Sequence, residues 1–201
     1  MSGTVFDSFL LYMEADMKYK CLIFDLDGTL YDTRRVNFLS YQKALEQFGY
    51  TMDYEYFANQ CNGRHYKTFL PEIMQSETHM EEVHELKKKY YGDFLSETVE
   101  NKHLFEIINA IRNEYYIVLV TTASRKNSED ILKYHNRLDE FDLIISQEDV
   151  KKKKPDPEGF CKAMDYYQIL KEDTIIFEDS DVGIEAAEKS GATVFVVRGF
   201  A

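Results

Sequence analysis

Two carboxylates set two residues apart, Asp25 and Asp27, close the apolar run Cys21-Leu22-Ile23-Phe24 and are followed at once by Gly28. In a strand, residues i and i+2 point the same way. At the carboxyl end of a strand, where open α/β sheets bind ligands, both acids could lean toward one small volume. Carboxylates held that close favour a cation between them or a shared proton. One can then serve as a nucleophile and the other as a general acid and base. The plainer alternative is a turn in which Asp and Gly are only turn formers. Three further groups could add chemistry. Thr121 and Thr122 end a β-branched run, where a hydroxyl can donate to a phosphoryl oxygen. Lys154 ends the run Lys151–Lys154 ahead of Pro155, a pattern that also suits a solvated loop. Glu178 and Asp179 end the run Thr174–Phe177. Hard oxygen ligands on a strand end suit Mg²⁺.

The elements that must position these groups follow from periodicity. Short apolar runs at 21–24, 116–121, 141–146, 174–177 and 193–197 predict strands, and helical spacing predicts helices over 104–111, 128–138, 157–169 and 183–190. Strands alternating with helices imply a parallel sheet with right-handed crossovers. Between the first strand and the rest lies a stretch that reads as helices only: 36–48 with Gly49 as C-cap, 54–61, 66–74 and 81–95, with a turn at Asn62-Gly63-Arg64-His65. The predicted fold class is therefore α/β, a Rossmann-like parallel sheet flanked by helices. Residues 18–32 and 100–201 form the core, 33–99 an inserted all-helical subdomain, and 1–17 an N-terminal extension.

Four stretches in this order resemble the haloacid dehalogenase-like superfamily, subclass I with a helical cap, which includes phosphoglycolate phosphatases and β-phosphoglucomutases. They are Phe24-Asp25-Leu26-Asp27-Gly28-Thr29-Leu30, Val118-Leu119-Val120-Thr121-Thr122, Lys154-Pro155, and Ile176-Phe177-Glu178-Asp179-Ser180-Asp181-Val182-Gly183-Ile184-Glu185-Ala186-Ala187. The resemblance covers about residues 18–198. It implies that Asp25 attacks phosphorus, that Asp27 handles the proton, and that Thr121 and Lys154 hold the transferring oxygens. It also implies Mg²⁺ on Asp25, on the backbone carbonyl of Asp27 and on Asp179, with Glu178 a direct or water-mediated helper. Asp181 stands where relatives carry a small residue or Pro, and it reads as a helix N-cap.

Asp27 separates phosphoryl chemistry from dehalogenation, since a departing halide needs no proton. The expected function is a phosphoric monoester hydrolase acting on a small phosphorylated metabolite. Two alternatives are a phosphosugar mutase of the β-phosphoglucomutase type and a non-catalytic phosphate-ligand binding protein. The choice lies in the cap, where Gly63, Arg64, Tyr66 and Lys67, with Thr122 from the core, are the expected substrate contacts. Mutases of that type carry an Arg three residues after the loop Gly, where this chain has Tyr66. Arg34 and Arg35 are further candidates for a substrate anion. The formal net charge of −12 disfavours nucleic acid. Cys21, Cys61 and Cys161 are scattered with no C-x-x-C spacing, as expected of free thiols in a cytoplasmic protein. No apolar run is long enough to cross a membrane. A monomer or a homodimer is expected.

Overall fold

In the computed structural model, which describes residue 18 and residues 20–199, the run at 21–24 is the middle of a five-stranded parallel sheet. Strand β1 (Lys20–Phe24) pairs with β4 (Tyr115–Val120) on one side and β6 (Thr174–Glu178) on the other. Strands β5 (Leu143–Ile145) and β7 (Thr193–Val196) complete the order β5-β4-β1-β6-β7. Cys21, Leu22, Ile23 and Phe24 are all buried because helices cover both faces. Leu22 and Phe24 join a core with Leu119, Phe105, Ile108 and Ile131, under helices α5 (Lys102–Ile111) and α6 (Arg125–Tyr134). Cys21 and Ile23 face the opposite core of Val118, Phe160, Ala163 and Ala186, under α7 (Glu158–Tyr167) and α8 (Asp181–Ser190). The two-residue alternation of a strand thus serves two layers at once. The chain leaves β1 in both directions across the sheet, and this switch of order opens a crevice at the strands' carboxyl ends.

Past β1 the backbone turns sharply, with the Gly28 N–H donating to the Tyr31 carbonyl, and enters the short strand β2 (Tyr31–Asp32). Helices α1 (Arg34–Glu46), α2 (Tyr54–Tyr56, wound on as a π-helical turn to Cys61), α3 (Tyr66–Met74) and α4 (Met80–Tyr90) follow. The return runs through a 3₁₀ segment (Tyr91–Glu97) into β3 (Val99–Glu100), which lies antiparallel to β2. These helices bury a core of their own, including Phe38, Tyr41, Leu45, Phe57, Phe69, Leu70 and Val83. The N-terminal extension expected at 1–17 lies outside the described residues.

Several boundaries differ from the expectation. Helix α6 starts at Arg125 rather than 128 because the Ser124 hydroxyl caps it, accepting from the Asn127 N–H, and it ends before Asn136, which takes φ 57°. The helix expected at 81–95 gives way to the tighter segment after Tyr90. Ser180, and not Asp181, is the N-cap of α8: its side chain accepts from the Gly183 N–H, and Asp181 is the first helical residue.

Candidate active site

Stacking fixes the first step. The Phe24 and Phe177 rings lie face to face across β1 and β6, with centroids 4.7 Å apart, so the next residues, Asp25 and Glu178, emerge side by side at the end of the sheet. Both are buried. The Lys154 ammonium comes between them from the loop before α7, donating to Asp25 Oδ1 at 2.6 Å, Glu178 Oε1 at 2.5 Å and the Val120 carbonyl at 3.1 Å. All three of its protons are used. Burial works against the charge on Lys154, but the two carboxylates outweigh it, and its pKa rises above the ordinary lysine value. The second oxygen of Glu178 accepts from the Asp179 and Ser180 N–H groups and the Ser180 hydroxyl. Glu178 is therefore spent on holding Lys154 and the start of α8 in place. A Cβ on residue 183 would sit 1.9 Å from Glu178 Oε1, so this approach requires Gly183.

Asp25 has one oxygen on Lys154, while Oδ2 makes no hydrogen bond among the described residues. Burial pushes the Asp25 carboxyl well above its ordinary value, against the pull of Lys154. One oxygen each from Asp25, Glu178 and Asp179 falls within 4.8 Å of the others. Asp179 accepts from the Thr29 hydroxyl at 3.0 Å, and burial, with Glu178 beside it, pushes its pKa up to about 6. Gly28 makes room for it: at φ +97° it occupies the left-handed region, and a Cβ there would stand 2.1 Å from Asp179 Oδ2. Asp25 with one free oxygen and the half-buried Asp179, beside the fully hydrogen-bonded Glu178 and in a pocket kept open by a glycine, are hard oxygen donors that fit a divalent cation such as Mg²⁺.

The Asp27 side chain is not one of the three grouped carboxylates, although its charge is felt at Asp25. Strand β1 ends at Phe24, so the alternation that would align positions 25 and 27 stops there. Instead Asp27 accepts from the Thr33 hydroxyl, itself reached by Asn37 Nδ2 at 3.3 Å, and faces the cap. Burial raises its pKa above the ordinary carboxylate range. Thr121 follows β4 directly, its N–H on the Ile145 carbonyl and its Oγ1 accepting from Ala123 N–H at 3.0 Å.

Between core and cap lies a cavity of roughly 370 Å³, lined by Asp27, Asp179 and Thr122 on one side and by Tyr41, Phe57, Gly63, Arg64, His84 and Lys87 on the other. Of the expected cap contacts, Gly63 and Arg64 reach this wall, but the Arg64 guanidinium is tied to Glu72 and to the Gln60 and Thr68 carbonyls. Tyr66 and Lys67 do not line it: the Tyr66 hydroxyl donates to Glu81 at 2.7 Å, and Lys67 pairs with the same carboxylate at 2.9 Å. Arg34 lies in a second cleft of about 250 Å³ meeting the first at Asp27 and Asp179, but grips Asp32 bidentately, and Arg35 leans on Tyr54 near Glu97. Thr33, Asn37, Tyr41 and Lys87 escaped the sequence reading. The first three recur every fourth residue from the N-cap of α1 into the helix, and Lys87 stands four residues after buried Val83 and four before buried Tyr91. That spacing places each on an inward face.

The family model for haloacid dehalogenase-like hydrolases matches residues 22–197. A Haemophilus influenzae protein of uncharacterized function is 30% identical over 184 residues, 90% of this chain and 92% of that one. A phosphorylated carbohydrates phosphatase from Thermotoga maritima is 28% identical over 181 residues, 86% of this chain and 82% of its own. Among solved structures, one described as a predicted phosphoglycolate phosphatase from Haemophilus somnus superposes with a TM-score of 0.80 at 20% identity, covering 88% of this chain and 84% of that one.

Proposed function

Because the chain belongs to the haloacid dehalogenase-like hydrolases, we propose that it is a Mg²⁺-dependent phosphatase that hydrolyses a small phosphomonoester through an aspartyl phosphate on Asp25. The observation that carries this reading is the division of labour between the two acids. Lys154 holds Asp25 by one oxygen, and the other has no hydrogen-bond partner among the described residues. Asp27 stands apart, with burial favouring its protonated form. In the first step Asp25 Oδ2 forms a bond to phosphorus, the bond from phosphorus to the ester oxygen breaks, and Asp27 gives its proton to that oxygen. In the second step Asp27 takes a proton from water, the water oxygen bonds to phosphorus, and the bond to Asp25 breaks. Inorganic phosphate leaves and both acids return to their starting states.

The Thr121 hydroxyl holds a transferring oxygen, and Lys154, whose protons rest on Asp25, Glu178 and the Val120 carbonyl, contributes its positive charge beside the phosphate, a mainly electrostatic effect. Asp25, the Asp27 carbonyl and Asp179 would hold Mg²⁺, which supplies positive charge between carboxylate and phosphate. Closure of the cap keeps bulk water from the phosphorylated Asp25. The relatives named for phosphorylated carbohydrates and for phosphoglycolate support a small phosphorylated metabolite as substrate. The cap supports hydrolysis over mutase chemistry, since Arg64 is committed to Glu72. The test is phosphate release from a panel of phosphorylated metabolites, with Mg²⁺ and with EDTA. Release that depends on metal and drops about 10⁴-fold or more in Asp25→Asn, with an unchanged melting curve, is expected. Substantial turnover by that variant would remove Asp25 from the role of nucleophile.

A further inference from the structure

Three cations stand on the cap side of the inner cavity, and two are already neutralised. Arg64 pairs with Glu72 at 2.8 Å, and Lys88 with Glu85 at 2.6 Å. His84 adds no charge near neutrality, because burial pushes its pKa down to about 4. Lys87 is the exception. Its ammonium lies 5.3 Å from the centroid of the Tyr41 ring and 4.7 Å from that of Tyr91, and no carboxylate among the described residues pairs with it. Burial lowers its pKa to about 8, with only the more distant Asp27 pulling it back up. A half-buried cation against aromatic walls with no carboxylate beside it gains from a counter-charge, and in such partly desolvated surroundings that counter-charge is held more strongly than in water.

Position says what the counter-ion belongs to. The transferring phosphate is bound at the sheet ends, beside Asp25 and Lys154. Asp27 delivers its proton to the ester oxygen, so beyond Asp27, toward the cap, lies the organic part of the substrate. Lys87 faces the cavity from that side. We propose that Lys87 is a specificity-determining residue that binds a second anionic group, a carboxylate or a second phosphate, on the leaving alcohol, so that the preferred substrates are phosphomonoesters bearing another negative charge. The proposal rests on the phosphatase reading of the same site.

The test compares matched pairs: 3-phosphoglycerate against glycerol 3-phosphate, and fructose 1,6-bisphosphate against fructose 1-phosphate, with p-nitrophenyl phosphate as a general reporter of turnover. The wild type is expected to favour the more anionic member of at least one pair by tenfold or more in kcat/KM. The pair showing the preference tells carboxylate from phosphate. In Lys87→Gln that ratio falls about tenfold or more, the size of one charge-assisted contact, chiefly through KM, and Lys87→Arg retains most of it. No preference in the wild type, or equal losses on both members of a pair, overturns the proposal, since a structural role or a contact to the transferring phosphate lowers both alike. Calorimetry covers the case without turnover. Asp25→Asn should bind the preferred anionic ester, or 3-phosphoglycerate and fructose 1,6-bisphosphate when nothing turns over, at least tenfold more tightly than Asp25→Asn/Lys87→Gln. Equal affinities refute the role of Lys87. Failure to hydrolyse even p-nitrophenyl phosphate refutes the phosphatase reading instead.

Discussion

Asp25, Lys154 and Glu178 form a chain in which each group sets the state of the next. Glu178 is held by two backbone N–H groups and a hydroxyl, it holds Lys154, and Lys154 in turn holds one oxygen of Asp25. The nearby glycines belong to the same machinery. Gly28→Ala places a methyl group against Asp179 at a φ that side chains resist. We expect the Mg²⁺ concentration for half-maximal activity to rise about 10–100-fold, the usual cost of displacing a metal ligand's support, and a metal titration of phosphate release reads it. Lys87 carries a pH signature. Its pKa is lowered to about 8, so it is charged below that value and loses its charge as pH rises through it. The groups facing it are Asp27 from the core, Tyr41 from α1, and Tyr91, His84 and Lys88 from its own segment. Discrimination between 3-phosphoglycerate and glycerol 3-phosphate should therefore fall between pH 7 and pH 9 in the wild type. In Lys87→Arg, which stays charged, it should not.

At the level of elements, the clearest contact is the one that ties the cap's return strand to the core. Arg137, just past α6, donates to both oxygens of Glu100 on β3, at 2.8 and 3.1 Å, and to Glu140 at 2.7 Å. The Thr98 hydroxyl meets His135 Nε2 at 2.7 Å close by. Arg137→Met should cost about 2 kcal/mol, the scale of a hydrogen bond to a charged group, and lower Tm by about 4–8 °C, read by thermal denaturation. The strands were legible in the sequence because they are fully buried: β-branched runs such as Tyr116–Val120 have no other good reading. Helix ends were less so. At α6 and α8 a single serine hydroxyl, Ser124 or Ser180, decides the first turn, and a neighbouring polar residue looks as good a cap in a string of letters. The core acids could be picked out because they stand in family-like motifs at strand ends, while the strand alternation invoked for Asp25 and Asp27 ends at Phe24. Tyr66 and Lys67, expected as cap contacts, lie on Glu81 away from the cavity wall, and Lys87 passed as one of a short basic run, because which face of a cap helix turns inward depends on packing against α1.

Across the whole molecule, the site draws on four segments far apart in sequence. Residues 25–29, 121, 154 and 178–179 meet only when β1, β4 and β6 are paired. Buried acids concentrated at one point oppose folding until a cation joins them, so metal binding should register as stability. At a Mg²⁺ concentration of about 100 times Kd the folded state gains about 2.7 kcal/mol, and Tm rises by about 5–10 °C. Asp179→Asn should abolish most of that shift, as differential scanning calorimetry with and without EDTA would show. No described helix is long and apolar enough to cross a membrane.

The pairing of β2 with β3 has a consequence for how such a protein can change over time. Tyr31 lies opposite Glu100, and Asp32 opposite Val99. The chain therefore departs for the cap and comes back at adjacent points, and in topological terms the cap is one long hairpin loop. Lengthening a loop raises its closure cost only logarithmically. Insertions, deletions or wholesale exchange of the segment between those two strands would leave the sheet's pairing intact, so one catalytic core could acquire new tastes by recombination at a single site.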